Sequence, residues 1–374
     1  MGTFRVKDIR SGPNSAILST TYLFRLDNVA YFAAQDANGI GLWKSDGTEM
    51  GTVPVKTFAG VSPPGAFAAF NGLLYFAAET PAKGRELWRS DGSEIGTTMV
   101  KDIAPDAASS SPVNLTVSGG TLFFAANDGM NGVELWKSNG TDIGTTMVKN
   151  ISSAGAGSTP GALIEMNGIL YFRASDGMNG IELWRSDGTE PGTSMVKNIA
   201  PNQGSSLPNG LTKVGNLLYF AADDNTNGIE LWRSDGTANG TFMAADIALG
   251  SAHAFVGMPV AIGDNLYFPA DDVYHGVELW ALDLTASDYC FADCNGDREL
   301  RASDIGRINS LILRCSPCPG NIPGGIAAGC AAAAFSCSAA DFNADGCLRA
   351  SELGRANRNI LTLQPTGCEF RPLP

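Results

Sequence analysis

The chain has 374 residues, of which 44% are hydrophobic and 17% are charged, and its net charge is −13. This composition excludes an intrinsically disordered chain, and the acidic balance argues against nucleic acid and anionic lipid as partners. No apolar run reaches the roughly 18 residues that a transmembrane helix needs, so we expect no membrane insertion. The length suits one large domain and one small domain.

Six tryptophans mark an internal repeat. They are separated by 45 residues once and then by 48 residues four times, at Trp43, Trp88, Trp136, Trp184, Trp232 and Trp280. Each of the first five repeats contains four short runs of aromatic and β-branched residues, separated by Asn-Gly and Asp-Gly turn signals. Because four antiparallel strands per unit of this length are typical of propeller blades, the repeat predicts a β-propeller.

The last repeat predicts how the ring closes. The fourth run follows the first five tryptophans but is missing after Trp280, whereas Gly2–Ile9 matches it at the N-terminus. We therefore predict an all-β, six-bladed β-propeller over residues 1–285, in which the N-terminal strand closes the last blade and leaves no open sheet edge.

The repeat carries a recognisable signature. Glu182-Leu183-Trp184 is followed by Asp187-Gly188-Thr189, and similar residues recur in the other copies. This pattern resembles a bacterial extracellular family of ELWxxDGT-repeat proteins. The first copy departs from it with Gly41 in place of glutamate, and the last copy lacks the Asp-Gly-Thr part. The resemblance implies a secreted or cell-surface location and transfers no catalytic residues.

The repeated side chains have both structural and binding interpretations. We favour core packing over sugar stacking for the tryptophans, a turn for Ser-Asp-Gly-Thr, and hydrogen bonds to backbone amides of the neighbouring blade for the repeated glutamate. Acidic and amide residues between the second and third strands suit either hairpin turns or the binding of calcium or a hydroxylated ligand such as a glycan. These residues are Asp36/Asn38, Asp128/Asn131, Asp176/Asn179 and Asp224/Asn227.

Few residues break the repeat symmetry, as an active site would. They are Arg173, His253 and the pair Tyr274-His275, and no Ser/His/Asp or Cys/His set accompanies them. We therefore predict a secreted, non-enzymatic propeller that acts as a ligand- or protein-binding scaffold. The alternative is a polysaccharide-active glycosidase or lyase.

All eight cysteines lie in the last 85 residues, between Cys290 and Cys368. An even number in a short segment predicts disulfides in an oxidising compartment. Zinc ligation through Cys315 and Cys318 is the rival interpretation, but no second C-x-x-C pair is present. Residues 286–374 are thus predicted to form a separate disulfide-rich domain.

Two segments of this domain match the EF-hand loop spacing. Their side-chain oxygens fall at loop positions 1, 3, 5 and 12, with a backbone carbonyl at position 7, which predicts two Ca²⁺ sites. The ligands of the first loop are Asp293, Asn295, Asp297, Glu299 and Asp304, and those of the second are Asp341, Asn343, Asp345, Cys347 and Glu352. Arg298 replaces the usual glycine at position 6, so we expect the first loop to bind more weakly.

A predicted helix follows each loop, and this doubled loop and helix resembles a dockerin. The resemblance implies a small α-helical, EF-hand domain that binds a cohesin-like protein through loop positions 10 and 11. These positions hold the same pair in both halves, Ala302, Ser303, Ala350 and Ser351. The alternatives are attachment to another cell-surface component and a calcium-stapled stalk without a partner. We expect the chain to be a monomer.

Overall fold

The computed structural model describes residues 2–17, 23–60, 62–153, 155–254 and 256–285. Within these ranges all named secondary-structure elements are β-strands. They form five four-stranded sheets and one three-stranded sheet. All strand pairs are antiparallel neighbours in sequence, which is the arrangement of propeller blades. Among the described residues, no helix is long and apolar enough to cross a membrane.

Residues 1–208 form one compact unit with the first four sheets. The first two sheets consist of β1 (Phe24–Leu26), β2 (Val29–Asp36), β3 (Gly39–Ser45), β4 (Val53–Phe58), β5 (Gly65–Phe70), β6 (Leu73–Thr80), β7 (Gly84–Ser90) and β8 (Thr98–Lys101). The next two consist of β9 (Val113–Ser118), β10 (Thr121–Asn127), β11 (Val133–Ser138), β12 (Thr146–Lys149), β13 (Gly161–Met166), β14 (Ile169–Ser175), β15 (Ile181–Ser186) and β16 (Ser194–Lys197).

The second compact unit begins at Asn209 and contains the fifth and sixth sheets. The fifth sheet consists of β17 (Asn209–Val214), β18 (Leu217–Asp223), β19 (Ile229–Ser234) and β20 (Phe242–Ala245). The three-stranded sixth sheet consists of β21 (Val260–Ile262), β22 (Asn265–Asp271) and β23 (Val277–Asp283).

Local turn chemistry explains the strand register. Asn167 and Gly168 join β13 to β14 with φ values of 55° and 80°, and Met166 pairs with Ile169 across the turn. Two successive positive φ values define the type I′ turn, which Asn-Gly adopts easily and which matches the twist of a hairpin. The predicted Asn-Gly turn is confirmed here.

Neighbouring sheets within the first unit pack face to face. Leu135 and Ile151 of the third sheet and its linker lie in one buried cluster with Leu170, Phe172 and Trp184 of the fourth. Because both faces of a central sheet are covered, strands such as β14 are apolar over several consecutive residues rather than alternating. Burying each large side chain contributes about 1.5–3 kcal/mol.

The described N-terminal segment has no assigned strand. Residues 2–9 contain no described strand, and β23, which carries Trp280, pairs with β22 alone in the part of the chain that the structure describes. No backbone ladder is therefore formed by this segment. The closed ring of six complete blades stays a prediction.

The N-terminal segment nevertheless makes the side-chain contacts of a repeat. Lys7 Nζ donates to the carbonyl of Thr52 at 2.8 Å, and Lys149 makes the equivalent bond from the third sheet to the fourth at 2.9 Å. Ile9 packs against the cluster that contains Trp43. These contacts hold the segment against the first sheet.

The predicted boundary at residue 286 coincides with the end of the described residues. The calcium loops, the cysteines and the predicted helices all lie outside the described residues. The two compact units meet in sequence at Pro208 and Asn209, inside the predicted propeller domain.

Candidate functional site

The repeated tryptophans are core residues. The first five are between 4% and 9% exposed. The indole N–H groups of Trp88, Trp136, Trp184 and Trp232 have no hydrogen-bond partner, so apolar packing accounts for these side chains. The preference for core packing over sugar stacking is confirmed for these positions.

The repeated glutamate is a buried hydrogen-bond acceptor. Glu182 is fully buried and accepts the backbone N–H groups of Ile199 at 2.9 Å, Ala200 at 3.2 Å and Ser206 at 3.2 Å. The Ser206 hydroxyl donates to the same carboxylate at 2.6 Å. One side chain thus fixes the segment that leaves its own sheet. The predicted bonding to backbone amides is confirmed, but the amides belong to this connecting segment and not to a strand of the neighbouring blade.

The environment of this glutamate changes in the fifth sheet. Burial raises the pKa of Glu86 and of Glu182, and the serine hydroxyl on each lowers it again in part. At Glu230 the position of that serine is occupied by Ala254, and burial raises the pKa of Glu230 to about 8. This exchange was not predicted from the repeat pattern, although the serine and Ala254 align when the repeats are compared position by position.

The Ser-Asp-Gly-Thr turn between the third and fourth strands is closed by its own side chains. Asp187 Oδ1 accepts the backbone N–H of Thr189 at 2.8 Å and its hydroxyl at 2.7 Å. These bonds lower the pKa of Asp187. Gly188 has a φ of 87°, and a Cβ on Gly192 would lie 2.0 Å from Asp187 Oδ1. The predicted turn is therefore confirmed.

Each of these turns presents one side chain at its tip. Met50, Ile95 and Ile143 occupy the same position in the first three sheets and are 91%, 92% and 91% exposed. Pro191 and Asn239 occupy it in the fourth and fifth sheets. Sequence reasoning missed this set, whose signal is an apolar residue in the middle of a polar turn. We call Met50, Ile95 and Ile143 the apolar tips.

The acidic turns between the second and third strands hold themselves together. Asp128 Oδ1 accepts the backbone N–H of Met130 at 2.9 Å and of Asn131 at 2.8 Å, while Oδ2 accepts the Asn131 amide at 2.7 Å. Asp176 and Asp224 repeat this pattern. Hairpin formation therefore accounts for these residues. No cluster of three or more metal-ligating side chains occurs among the described residues.

The last residue of the turn between the second and third strands contacts, through its side chain, the first residue after the fourth strand. In the second sheet Lys83 Nζ lies 2.6 Å from Asp102 Oδ2. In the third sheet Asn150 Nδ2 donates to Asn131 Oδ1 at 2.9 Å, and the fourth sheet has the same amide pair at 3.1 Å. A donor thus faces an acceptor in each of these three sheets.

The fifth sheet breaks that complementarity. Its equivalent residues are Asn227, whose amide donates to Asp224, and Asp246, whose buried Oδ1 has no hydrogen-bond partner. Burial and the charge of Asp224 raise the pKa of Asp246 to about 6. A carboxyl with this pKa is able to give or take a proton near neutral pH.

The remaining residues that break the repeat symmetry are His253, Tyr274, His275 and Arg173, and each has a defined place in its own repeat. His253 Nδ1 accepts a backbone N–H of β19 at 2.9 Å, as serine hydroxyls do in the second and fourth sheets. His275 Nδ1 lies 2.7 Å from Asp272 Oδ2, and this contact raises the pKa of His275 and lowers that of Asp272. Tyr274 is 83% exposed beside it, and Arg173 pairs with Gly161 in the sheet.

The predicted calcium ligands and partner-binding residues fall outside the described residues. They are Asp293, Asn295, Asp297, Glu299, Asp304, Asp341, Asn343, Asp345, Cys347 and Glu352 for calcium, and Ala302, Ser303, Ala350 and Ser351 for a partner.

In its described residues, this is an all-β repeat protein whose sheets have the strand order of propeller blades. No protein-family model matches the sequence, and no curated protein matches it significantly. Solved structures with propeller-like folds do match. One is a puromycin hydrolase, with 12% identity and a TM-score of 0.43 over 70% of this chain and 43% of that chain.

Two further solved structures are similar at the same level. A puromycin-hydrolyzing peptidase from Mycobacterium tuberculosis shares 11% identity, with a TM-score of 0.42 over 73% of this chain and 44% of that chain. TolB from Acinetobacter baumannii shares 14% identity, with a TM-score of 0.35 over 60% and 55%. The match spans less than two thirds of each neighbour's own length. The assignment of blades in this chain rests on its own repeat.

Proposed function

We propose that the protein is a secreted, non-enzymatic binding scaffold that presents its loop tips to a protein or glycan at the cell surface. The observation that supports this most is the set of apolar tips, Met50, Ile95 and Ile143, which are 91–92% exposed at equivalent turns. Exposed apolar side chains support an interaction surface where one partner covers several of them together, and the proposal is that a partner covers these tips.

The rigidity of the turns also supports a binding role. Each tip sits in a turn whose serine, aspartate and threonine side chains bond to its own backbone, as Asp46 bonds to Thr48 and Thr48 to Gly51. A preformed turn loses little conformational entropy when a partner binds, so more of the contact energy appears as affinity.

The C-terminal residues extend this proposal. Residues 286–374 bind Ca²⁺ through two loops and attach the scaffold to a cohesin-like protein or another cell-surface component. The support is the sequence alone, namely two in-register sets of oxygen ligands and eight cysteines in one short segment. A monomeric scaffold with a separate attachment domain follows from this arrangement.

A second candidate function is hydrolysis or elimination on a polysaccharide. It is favoured by the pair Asp246 and Asp224, because burial and the nearby charge of Asp224 raise the pKa of Asp246 to about 6. Glycosidases use two carboxyls of which one is held protonated near neutral pH.

Binding and degradation assays on the full chain in Ca²⁺ separate the two functions. A glycan array and cell-surface fractions test binding, and release of reducing ends or unsaturated products from a polysaccharide panel tests catalysis. Binding without product formation supports the scaffold. Product formation that Asp246→Asn abolishes supports the enzyme, and binding to none of these probes contradicts the scaffold.

A further inference from the structure

The buried glutamate of the fifth sheet lacks one hydrogen bond that its counterparts have. Glu230 is fully buried and accepts the backbone N–H groups of Ile247 at 2.7 Å and Ala248 at 3.1 Å, and the backbone N–H of Ala254 also donates to it. The methyl group of Ala254 takes the place of a hydroxyl donor. In three other sheets that hydroxyl is present, from Ser110 to Glu86, from Ser158 to Glu134 and from Ser206 to Glu182.

The charged groups near Glu230 are mostly acidic. Asp246 lies close enough to Glu230 to raise its pKa further, and Asp224 acts on Asp246 in turn. At the end of β18, Asp223 Oδ2 lies 3.9 Å from His253 Nδ1. The same His253 nitrogen accepts a backbone N–H of β19. An ionised Glu230 would therefore be a buried charge with acidic neighbours and one donor fewer than usual.

We propose that the contact between the fifth sheet and residues 246–254, which we call the joint, is sensitive to pH. Glu230 keeps residues 246–254 bound to the sheet while its carboxyl is neutral, and this contact loosens when the carboxyl ionises. The geometry supplies the reason, because the backbone amides of Ile247, Ala248 and Ala254 remain but the hydroxyl that the other buried glutamates accept is missing from the buried charge. Opening the segment lets water reach the carboxylate.

The direction of the pH effect follows from linkage. Burial raises the pKa of Glu230 in the folded state to about 8, above the value of an unfolded glutamate at about 4.3. The folded segment therefore binds the proton more tightly than the open one. Its stabilisation is complete below the unfolded pKa and is lost as pH rises towards 8.

Amide hydrogen exchange of the full chain between about pH 5.5 and 8.5 tests the joint. The ratio of protection in residues 246–254 to protection in residues 198–206 cancels the intrinsic pH dependence of exchange. We expect this ratio to fall with rising pH by up to about tenfold per pH unit.

Three variants make the test specific. Ala254→Ser restores the hydroxyl and should flatten the ratio, and Glu230→Gln should do the same by removing the titrating group. Ser206→Ala removes the hydroxyl that partly offsets the burial of Glu182 and should therefore strengthen the pH response of residues 198–206. A ratio that is flat in the native protein, or that still falls in Ala254→Ser and Glu230→Gln, overturns the proposal.

Discussion

At the scale of single residues, the buried glutamate concentrates the bonding between a sheet and the segment that follows it. Glu134 accepts Ile151 N at 3.1 Å, Ser152 N at 3.1 Å and Ser158 N at 3.1 Å, besides the Ser158 hydroxyl. Three backbone amides of one connecting segment would otherwise be buried without partners. Because an unsatisfied buried donor costs about 1–3 kcal/mol, the carboxylate is worth more to stability than its size suggests.

Replacing this side chain should separate its bonding role from its volume. We expect Glu182→Ala to lower the free energy of unfolding by about 3–5 kcal/mol, since it orphans Ile199, Ala200 and Ser206. Glu182→Gln keeps the shape and one acceptor oxygen, so its cost should be about 1–3 kcal/mol. Urea denaturation at constant pH measures both, and equal small losses would refute the bonding role.

At the scale of elements, two copies of the turn between the third and fourth strands differ in one residue, and comparing them shows whether its charge matters. The third sheet has Asn139 where the fourth has Asp187, and Asn139 Oδ1 makes the same bonds to Thr141 N at 3.0 Å and Thr141 Oγ1 at 2.8 Å. The turn therefore needs an acceptor oxygen at this position and does not need a charge.

This equivalence predicts the effect of two substitutions. Asp187→Asn should change the free energy of unfolding by less than about 0.5 kcal/mol, whereas Asp187→Ala should cost about 1 kcal/mol through the lost turn bonds. Thermal denaturation of the two variants beside the native protein is the measurement. A large loss in Asp187→Asn would mean that the carboxylate charge itself has a role.

Sequence periodicity predicts those elements whose signals are local. The Asn-Gly turn at Asn167 and the tryptophan spacing place the strands, because turn type and apolar runs act over a few residues. The N-terminal strand was expected from its likeness to other fourth strands, but a strand also needs a partner that the sequence of one segment does not supply. Sequence similarity alone could not decide that pairing.

The candidate site was less predictable for a different reason. The loss of complementarity between Asn227 and Asp246 appears only when residues 19 apart in sequence are known to meet. The exposure of Met50 likewise depends on the turn that its neighbours close. Features of this kind arise from pairs and surroundings, which composition and spacing do not encode.

At the scale of the whole molecule, the N-terminal segment should matter well beyond its length. Ile9 packs with Trp43, and Lys7 bonds to the first sheet. Predicted ring closure would add to these contacts. Deleting residues 1–9 should lower the melting temperature by several degrees. Deleting residues 1–3, of which Gly2 and Thr3 are exposed, is the control and should change little. An unchanged melting temperature after the longer deletion would contradict closure.

Calcium should stabilise the C-terminal residues of the full chain. The two predicted loops gather carboxylates that repel one another without a cation, so binding raises the melting temperature with Ca²⁺ concentration. Isothermal titration should show that Asp345→Ala loses more affinity than Asp297→Ala, because Gly346 suits the turn that Arg298 must make. The absence of any calcium-dependent heat or melting shift would refute both sites.

The apolar tips carry the proposed function, and one binding measurement tests them most directly. The variant Met50→Asn/Ile95→Asn/Ile143→Asn copies the residue found at the tip of the fifth sheet, Asn239, and should keep the native melting temperature. Its control is Met130→Thr/Met178→Thr, which replaces residues 80% and 71% exposed with the residue of the fifth sheet, Thr226. On the glycan or cell-surface fraction that the native protein binds, we predict at least a tenfold weaker Kd for the tip variant and an unchanged Kd for the control. Equal affinity of the tip variant and the native protein would contradict the account.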